Sequence, residues 1–130
     1  MKWALAGSII AILATDAPLL AQQLKRLARR IGLGIGRAGA TSGNGSGDIF
    51  LAFSTANADA LHSEEQLARA NFIPDAQLNP FFDATIQAVD EAVINSLIAN
   101  ETMQGCDDHV IHALPHDEVR RLLRDAQVNG

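Results

Sequence analysis

With 130 residues, 48% of them hydrophobic and 19% charged, the chain fits one globular domain and is too apolar for a disordered one. Its net charge of −5 comes from scattered Asp and Glu with no acidic block, which argues against nucleic acid and anionic membrane as partners. The single cysteine, Cys106, excludes an internal disulfide framework and reads as a small residue in a loop rather than a catalytic thiol.

Two readings compete for the first stretch. Met1-Lys2-Trp3 followed by the apolar residues 4–14 has the positive start and the length of a secretory h-region, so residues 1–21 form a candidate signal peptide on composition. Asp16 and Pro18 stop the run short of the ~20 residues that a membrane-spanning helix needs. The competing reading is a β-strand over residues 8–14, apolar at nearly every position as strands buried on both faces are. An amphipathic helix then follows, with Asp16 as its N-cap and Pro18 in its first turn. Leu20, Leu24, Leu27 and Ile31 form its apolar stripe, and Gln22, Gln23, Lys25, Arg26, Arg29 and Arg30 its polar face. Leu27 and Ala28 interrupt the basic run at helical spacing, so it reads as a solvated helix face.

Residues 32–47 are dense in glycine and small polar residues and read as a loop. Gly34-Ile35-Gly36-Arg37-Ala38-Gly39 matches the dinucleotide fingerprint as a string, but it follows a helix and opens none, so it is discarded. Residues 48–55 read as a second apolar strand. Residues 56–79 are polar and irregular, with Pro74 and a short helix expected over 64–71. A long helix is expected over 80–101, with Phe82, Ile86, Val89, Val93 and Leu97 on one face and Gly105 as its stop. A turn through Cys106, Asp107 and Asp108 leads to a short segment over 110–114. A last helix over 117–127 should turn Val119, Leu122, Leu123 and Ala126 inward. Two strands cannot cover both edges of a sheet, so a missing segment is expected to supply their neighbours. The isolated chain is not expected to be monodisperse and to unfold cooperatively.

Chemistry concentrates at Ser8, at the head of the first strand, and at Ser46 with Asp48, at the head of the second. A serine, a second hydroxyl and a carboxylate can form a hydrogen-bonded relay that activates a nucleophile. Spacing alone favours the plainer reading of Ser46 and Asp48 as the end of a glycine-rich turn, and it leaves open whether the strands are parallel, which would put these residues on one edge. His109, His112 and His116 with Asp107 and Asp108 are weak candidates for a metal site. In an extended segment His109 and His112 point to opposite faces, and Pro115 breaks the register to His116. A solvated turn is the favoured reading, with no metal and no cofactor expected.

Several segments together carry a resemblance. They are Gly7-Ser8-Ile9-Ile10, Ala14-Thr15-Asp16-Ala17-Pro18-Leu19, Gln23-Leu24-Lys25-Arg26-Leu27-Ala28-Arg29-Arg30, Gly34-Ile35-Gly36-Arg37, Asn44-Gly45-Ser46-Gly47-Asp48-Ile49-Phe50 and Ala52-Phe53-Ser54-Thr55-Ala56-Asn57, with Glu101-Thr102-Met103 and Ala113-Leu114-Pro115-His116-Asp117. From residue 7 almost to the C-terminus the chain resembles the small, C-terminal β-subunit of the L-aminopeptidase/D-Ala-esterase/amidase family, which includes the β-peptidyl aminopeptidases. The resemblance implies an α/β fold, part of a four-layer αββα sandwich that is N-terminal-nucleophile-hydrolase-like and related to ornithine acetyltransferase. It implies residues 1–7 as a residual linker or artefact and residues 8–130 as the β-subunit of the aminopeptidase domain.

The resemblance further implies a precursor that cuts itself between Gly7 and Ser8. Ser8 becomes the N-terminal nucleophile and forms an acyl-enzyme with a peptide, amide or ester, its own α-amine acting as base. Ser46 and Asp48 take the places of the family's second serine and supporting carboxylate, where Glu is the usual residue in place of Asp48. The oxyanion hole and the group that binds the substrate's amine belong to the α chain, so the chain alone is expected to be inactive. Partners implied are the missing α chain, further copies in a homo-oligomer of αβ units, and a peptide or amino-acid amide substrate, with no nucleic acid and no membrane. A cytoplasmic location is favoured over a periplasmic one. The alternatives are a truncated inactive family member, a secreted non-enzymatic small protein with residues 1–21 as signal, and an acetyltransferase of the related family, disfavoured because that family's nucleophile is threonine.

Overall fold

The computed structural model describes residues 7–62, 64 and 66–128; positions 1–6, the start of the signal-peptide and linker readings, lie outside the described residues. The chain divides into two compact units, Met1–Asp90 and Glu91–Gly130.

The first unit is built on a parallel strand pair. Strand β1 (Ile10–Thr15) pairs in register with β2 (Ile49–Ser54), Ile10 opposite Ile49 and Thr15 opposite Ser54. Both strands are shorter by a residue or two than their apolar runs, and Ser8 and Asp48 lie just outside them. Between them runs helix α1 (Ala21–Arg37), which crosses over and packs on β2, with Gly32 against Phe50. Alternate strand residues meet the helix side. The other face, with Ile10 71% and Ile12 63% exposed beside Ile49, Leu51 and Phe53, is apolar and uncovered among the described residues. The expected burial on both faces is therefore supplied on one face only, and no third strand pairs with either edge among the described residues.

Helix α1 starts later than Asp16 and Pro18 suggest. Its N-cap is Leu20, and the orphan amide there is satisfied by the Gln23 side chain, which accepts from Leu20 N at 2.9 Å. Gln23, expected on the polar face, is buried; its Nε2 donates to Ile73 O and to Asp75 Oδ1, both at 2.8 Å. A buried amide with every polar atom satisfied fastens the 73–75 segment onto the helix without an unpaired group. Nor is the basic run simply solvated. Arg26 and Arg30 fold over the Phe82 ring, 5.0 and 3.5 Å from its centre, and Arg26 also pairs with Asp75.

The helix also runs further than expected, through Gly32, Gly34 and Gly36. It ends in a Schellman motif, with Ala40 N bonded to Ile35 O and Gly39 N to Gly36 O, and Gly39 takes the left-handed turn at φ 99°. The second helix, α2 (Asn79–Ala99), supplies the reason for glycine at position 34. A β-carbon there would lie 2.7 Å from Val89 Cβ and 2.8 Å from Ile86 O, so glycine is what lets the two helices approach. Gly34→Ala is expected to destabilise the protein by about 1–2 kcal/mol, overpacking outweighing the gain in helix propensity. A lower midpoint in equilibrium urea unfolding is the measurement; an unchanged or raised midpoint would contradict the tight contact.

Leu19, Leu27, Leu78 and Phe82 form the core cluster, with Ile31 fully buried nearby. Between β2 and α2 the chain makes short 3-10 turns at Ala58–His62 and Asp75–Gln77. The helix expected over 64–71 does not form, since its described residues are turn and irregular backbone; position 65 lies outside the described residues. The Asn57 side chain instead pairs with both the N–H and C=O of Asn71, closing the loop at its base.

In the second unit α2 ends and a two-residue antiparallel pair follows, β3 (Met103–Gln104) with β4 (Val110–Ile111), around a 3-10 turn at Cys106–Asp108. The last helix, α3 (His116–Val128), is strongly amphipathic, and its polar side is tied by Asp117–Arg120 and Glu118–Arg121–Asp125 pairs. Of the residues expected inward only Val119 is half-buried, while Ala126 is exposed and Leu122 and Leu123 are 54% and 60% exposed. No helix among the described residues is long and apolar enough to cross a membrane.

Candidate active site

Because β1 and β2 are parallel and in register, the residues that precede them arrive at one edge of the sheet. This brings Ser8 and the Ser46-Gly47-Asp48 tripeptide together across 39 positions of sequence. The ladder begins with Ile49 N donating to Ile9 O at 2.9 Å, and one step earlier Ile9 N donates to Asp48 Oδ1 at 3.3 Å. The Asp48 carboxylate thus takes the place of a ladder carbonyl, which fixes it beside the first strand.

Ser46 lies at the centre of the group. Its Oγ is 2.6 Å from Asp48 Oδ1 and 2.8 Å from the carbonyl oxygen of Gly7. Both neighbours are acceptors and the hydroxyl has one proton, so it serves one of them at a time. The shorter contact and the charge favour Asp48 in the resting state. The Ser46 hydroxyl holds the Asp48 carboxyl below the ordinary carboxylate range, aided by Ile9 N and Ser42 and opposed by partial desolvation. Asp48 is therefore an anion at neutral pH, able to accept a proton relayed by Ser46 or to hold its hydroxyl in place.

Ser8 is exposed, and its Oγ accepts from Gly47 N at 3.0 Å. That amide leaves the Ser8 proton free and favours negative charge on the oxygen. Among the described residues the Ser8 and Ser46 hydroxyls share no hydrogen bond. Backbone joins them instead, through the Gly47 amide on one and the Gly7 carbonyl on the other. The relay drawn from residue types thus appears as a Ser46–Asp48 pair and a Ser8–amide pair meeting at the Gly7–Ser8 peptide.

Sequence reasoning missed Ser42, whose hydroxyl donates to Asp48 Oδ2 at 3.3 Å from a left-handed backbone, φ 47°. Nothing in Thr41-Ser42-Gly43-Asn44-Gly45-Ser46 separates it from the other loop hydroxyls. His109, His112 and His116 lie in the second unit, and no group of three or more His, Cys, Asp or Glu among the described residues is arranged to hold a metal ion. Cys106 is exposed, in its turn.

Comparison with known proteins gives this edge of the sheet a context. The chain is 47% identical over 91% of its length to the β-peptidyl aminopeptidase BapA of Sphingosinicella microcystinivorans and 41% identical over 91% to that of Sphingosinicella xenopeptidilytica. In both cases it spans only 30% of the relative's length. A solved structure from Ochrobactrum anthropi, described as an L-aminopeptidase D-Ala-esterase/amidase, a prototype of the serine aminopeptidases and a variant of the Ntn hydrolase fold, superposes with a TM-score of 0.81 at 43% identity. It covers 92% of this chain and 34% of that one. A β-aminopeptidase of a Burkholderia species superposes with a TM-score of 0.78 at 33% identity, covering 91% of this chain and 35% of that one. The α/β architecture expected of an N-terminal-nucleophile-hydrolase-like protein is present here as a part covering about a third of those chains. The model of peptidase family S58 matches residues 2–111, and this chain belongs to that family.

Proposed function

We propose that residues 8–130 are the small, C-terminal subunit of a serine aminopeptidase that matures by cutting itself between Gly7 and Ser8. The observation that carries this reading is the meeting of Ser8, Ser46, Asp48 and the Gly7 carbonyl at one sheet edge. In maturation Ser8 Oγ attacks the Gly7 carbonyl carbon. The O–C bond forms, the peptide C–N bond breaks, and the proton from Oγ ends on the Ser8 nitrogen. Water then hydrolyses the ester, leaving Gly7 as a carboxylate and Ser8 with a free α-amine.

In turnover the same oxygen attacks the acyl carbon of a peptide, amide or ester that begins with a free amino acid. The neutral α-amine of Ser8, with a reference pKa near ~8, takes the proton and passes it to the leaving amine or alcohol, and water then hydrolyses the acyl ester to release the amino acid and restore the Ser8 hydroxyl. Ser46 sits beside the carbonyl oxygen under attack and Asp48 orients it. The relatives' names support aminoacyl substrates, β-amino acids among them. Since the chain spans about 30% of those relatives, the substrate pocket and the partner for the uncovered sheet face are assigned to the rest of the polypeptide, an α chain, in an assembly of αβ units. By itself this chain is expected to be inactive.

The test is to combine this chain with the remainder that its relatives carry. Intact mass should show loss of residues 1–7, and the product should hydrolyse amino-acid p-nitroanilides; loss near Ala21 would instead favour the signal-peptide reading. The pH dependence follows from the base. Asp48 is already ionised below the ordinary carboxylate range, so kcat/KM is expected to rise with a midpoint in the range of an α-amine, near ~8. A rise that tracks a carboxylate would remove the amine from the mechanism.

A further inference from the structure

The Asp48 carboxylate has three donors for its two oxygens, and they are not evenly shared. Ser46 Oγ and Ile9 N both meet Oδ1, at 2.6 and 3.3 Å, while Oδ2 has Ser42 Oγ alone, at 3.3 Å. The backbone at Ser42 makes this more than a passing surface contact. Its φ of 47° lies in the left-handed region, where a side chain carries a steric cost that glycine avoids. Glycines occupy positions 39, 43, 45 and 47 of the same loop, yet a hydroxyl stands at this strained position and reaches the outer oxygen of Asp48.

We propose that Ser42 is a positioning residue, its hydroxyl holding Oδ2 so that Oδ1 stays directed at the Ser46 hydroxyl. The proposal rests on the reading in which Ser46 and Asp48 serve the Ser8 nucleophile. Carboxylate oxygens exchange places by rotation about one bond, and a donor on each side resists it. Without Ser42 the group is held on one side only, and the Ser46 proton loses a fixed acceptor. Ser42 also stabilises the anion, as a donor to a carboxylate does.

The test uses the assembled protein with Ser42→Gly and Ser42→Asn. Glycine accepts the left-handed backbone without strain, so folding is not at issue, and asparagine tolerates that backbone while offering an amide donor to Oδ2. Carbon-13 NMR titration should place the Asp48 midpoint higher in Ser42→Gly than in the parent and bring it back down in Ser42→Asn. On an amino-acid p-nitroanilide, kcat should fall about three- to tenfold in Ser42→Gly with KM unchanged, and recover in Ser42→Asn.

An Asp48 midpoint unmoved by Ser42→Gly overturns the proposal, as does a moved midpoint with undiminished kcat or a Ser42→Asn variant that recovers neither quantity. Equal turnover by the parent and by Ser8→Ala would instead overturn the nucleophile reading beneath it, whatever the titration shows.

Discussion

Ser8→Ala is expected to leave the Gly7–Ser8 peptide intact and to reduce aminopeptidase turnover by at least ~10⁴-fold, the scale on which removal of a catalytic nucleophile acts. Under the proposed function both losses follow from one atom, since the oxygen proposed to attack Gly7 in maturation is the one proposed to take the acyl group in turnover. The fold should survive, because Ser8 is exposed and among the described residues its Oγ accepts from the Gly47 amide alone, which water can satisfy in its place. The measurement is intact mass and p-nitroanilide hydrolysis on parent and variant, each assembled with the rest of the polypeptide. A variant that still loses residues 1–7 would show that another agent makes the cut. A variant that is cleaved and fully active would end the nucleophile assignment altogether.

How much of this site could be read in the sequence depends on which contacts are local. The two strands stood out because residues 8–14 are apolar at nearly every position and residues 48–55 are mostly apolar, a pattern that depends only on burial. Parallel pairing did not, since it is fixed by the crossover of α1 over β2, a choice made by packing along the helix. Once pairing is parallel, the meeting of Ser8 with Ser46 and Asp48 is a consequence of register.

Helix α1 shows the limits in both directions. Its apolar stripe gave its existence, but glycines at 32, 34 and 36 suggested a loop because propensity weighs each residue alone. The close approach of Val89 and Ile86 to Gly34 is a tertiary contact that no local rule contains. Gln23 misled for a related reason. A glutamine is polar by type, and only the carbonyl of Ile73 and the carboxylate of Asp75, 50 and 52 residues away, make its burial favourable. The exposed leucines of α3 were assigned inward by their helical spacing, and the bare apolar face of β1 and β2 was assigned to burial because the runs are continuously apolar; either pattern identifies a face but not what covers it.

Ser46→Ala is the second large expected effect, and the geometry around its hydroxyl fixes what kind. With its proton on Asp48, Ser46 Oγ presents lone pairs toward the Gly7 carbonyl oxygen at 2.8 Å, an arrangement of two acceptors that gains nothing in the ground state. As Ser8 attacks, negative charge gathers on that carbonyl oxygen, and it becomes an acceptor able to compete with the carboxylate. Rotation of the hydroxyl then supplies a hydrogen bond that exists in the transition state and not before, which is the condition for raising kcat. In the proposed mechanism the carbonyl of an incoming substrate is attacked by the same Ser8 oxygen and meets the same hydroxyl, which would add one donor to the oxyanion hole assigned to the α chain. Removing it should therefore lower kcat by about 10²- to 10³-fold, the cost of one oxyanion donor, and slow cleavage at Gly7–Ser8, with KM little changed. Asp48→Asn, which removes the carboxylate that orients the Ser46 hydroxyl but keeps the hydroxyl itself as a donor, should lower kcat by less than Ser46→Ala does. If the two variants lost kcat equally, Ser46 would be acting as a conduit to the carboxylate, and if Ser46→Ala raised KM alone, its hydroxyl would be a binding contact with no part in the chemical step.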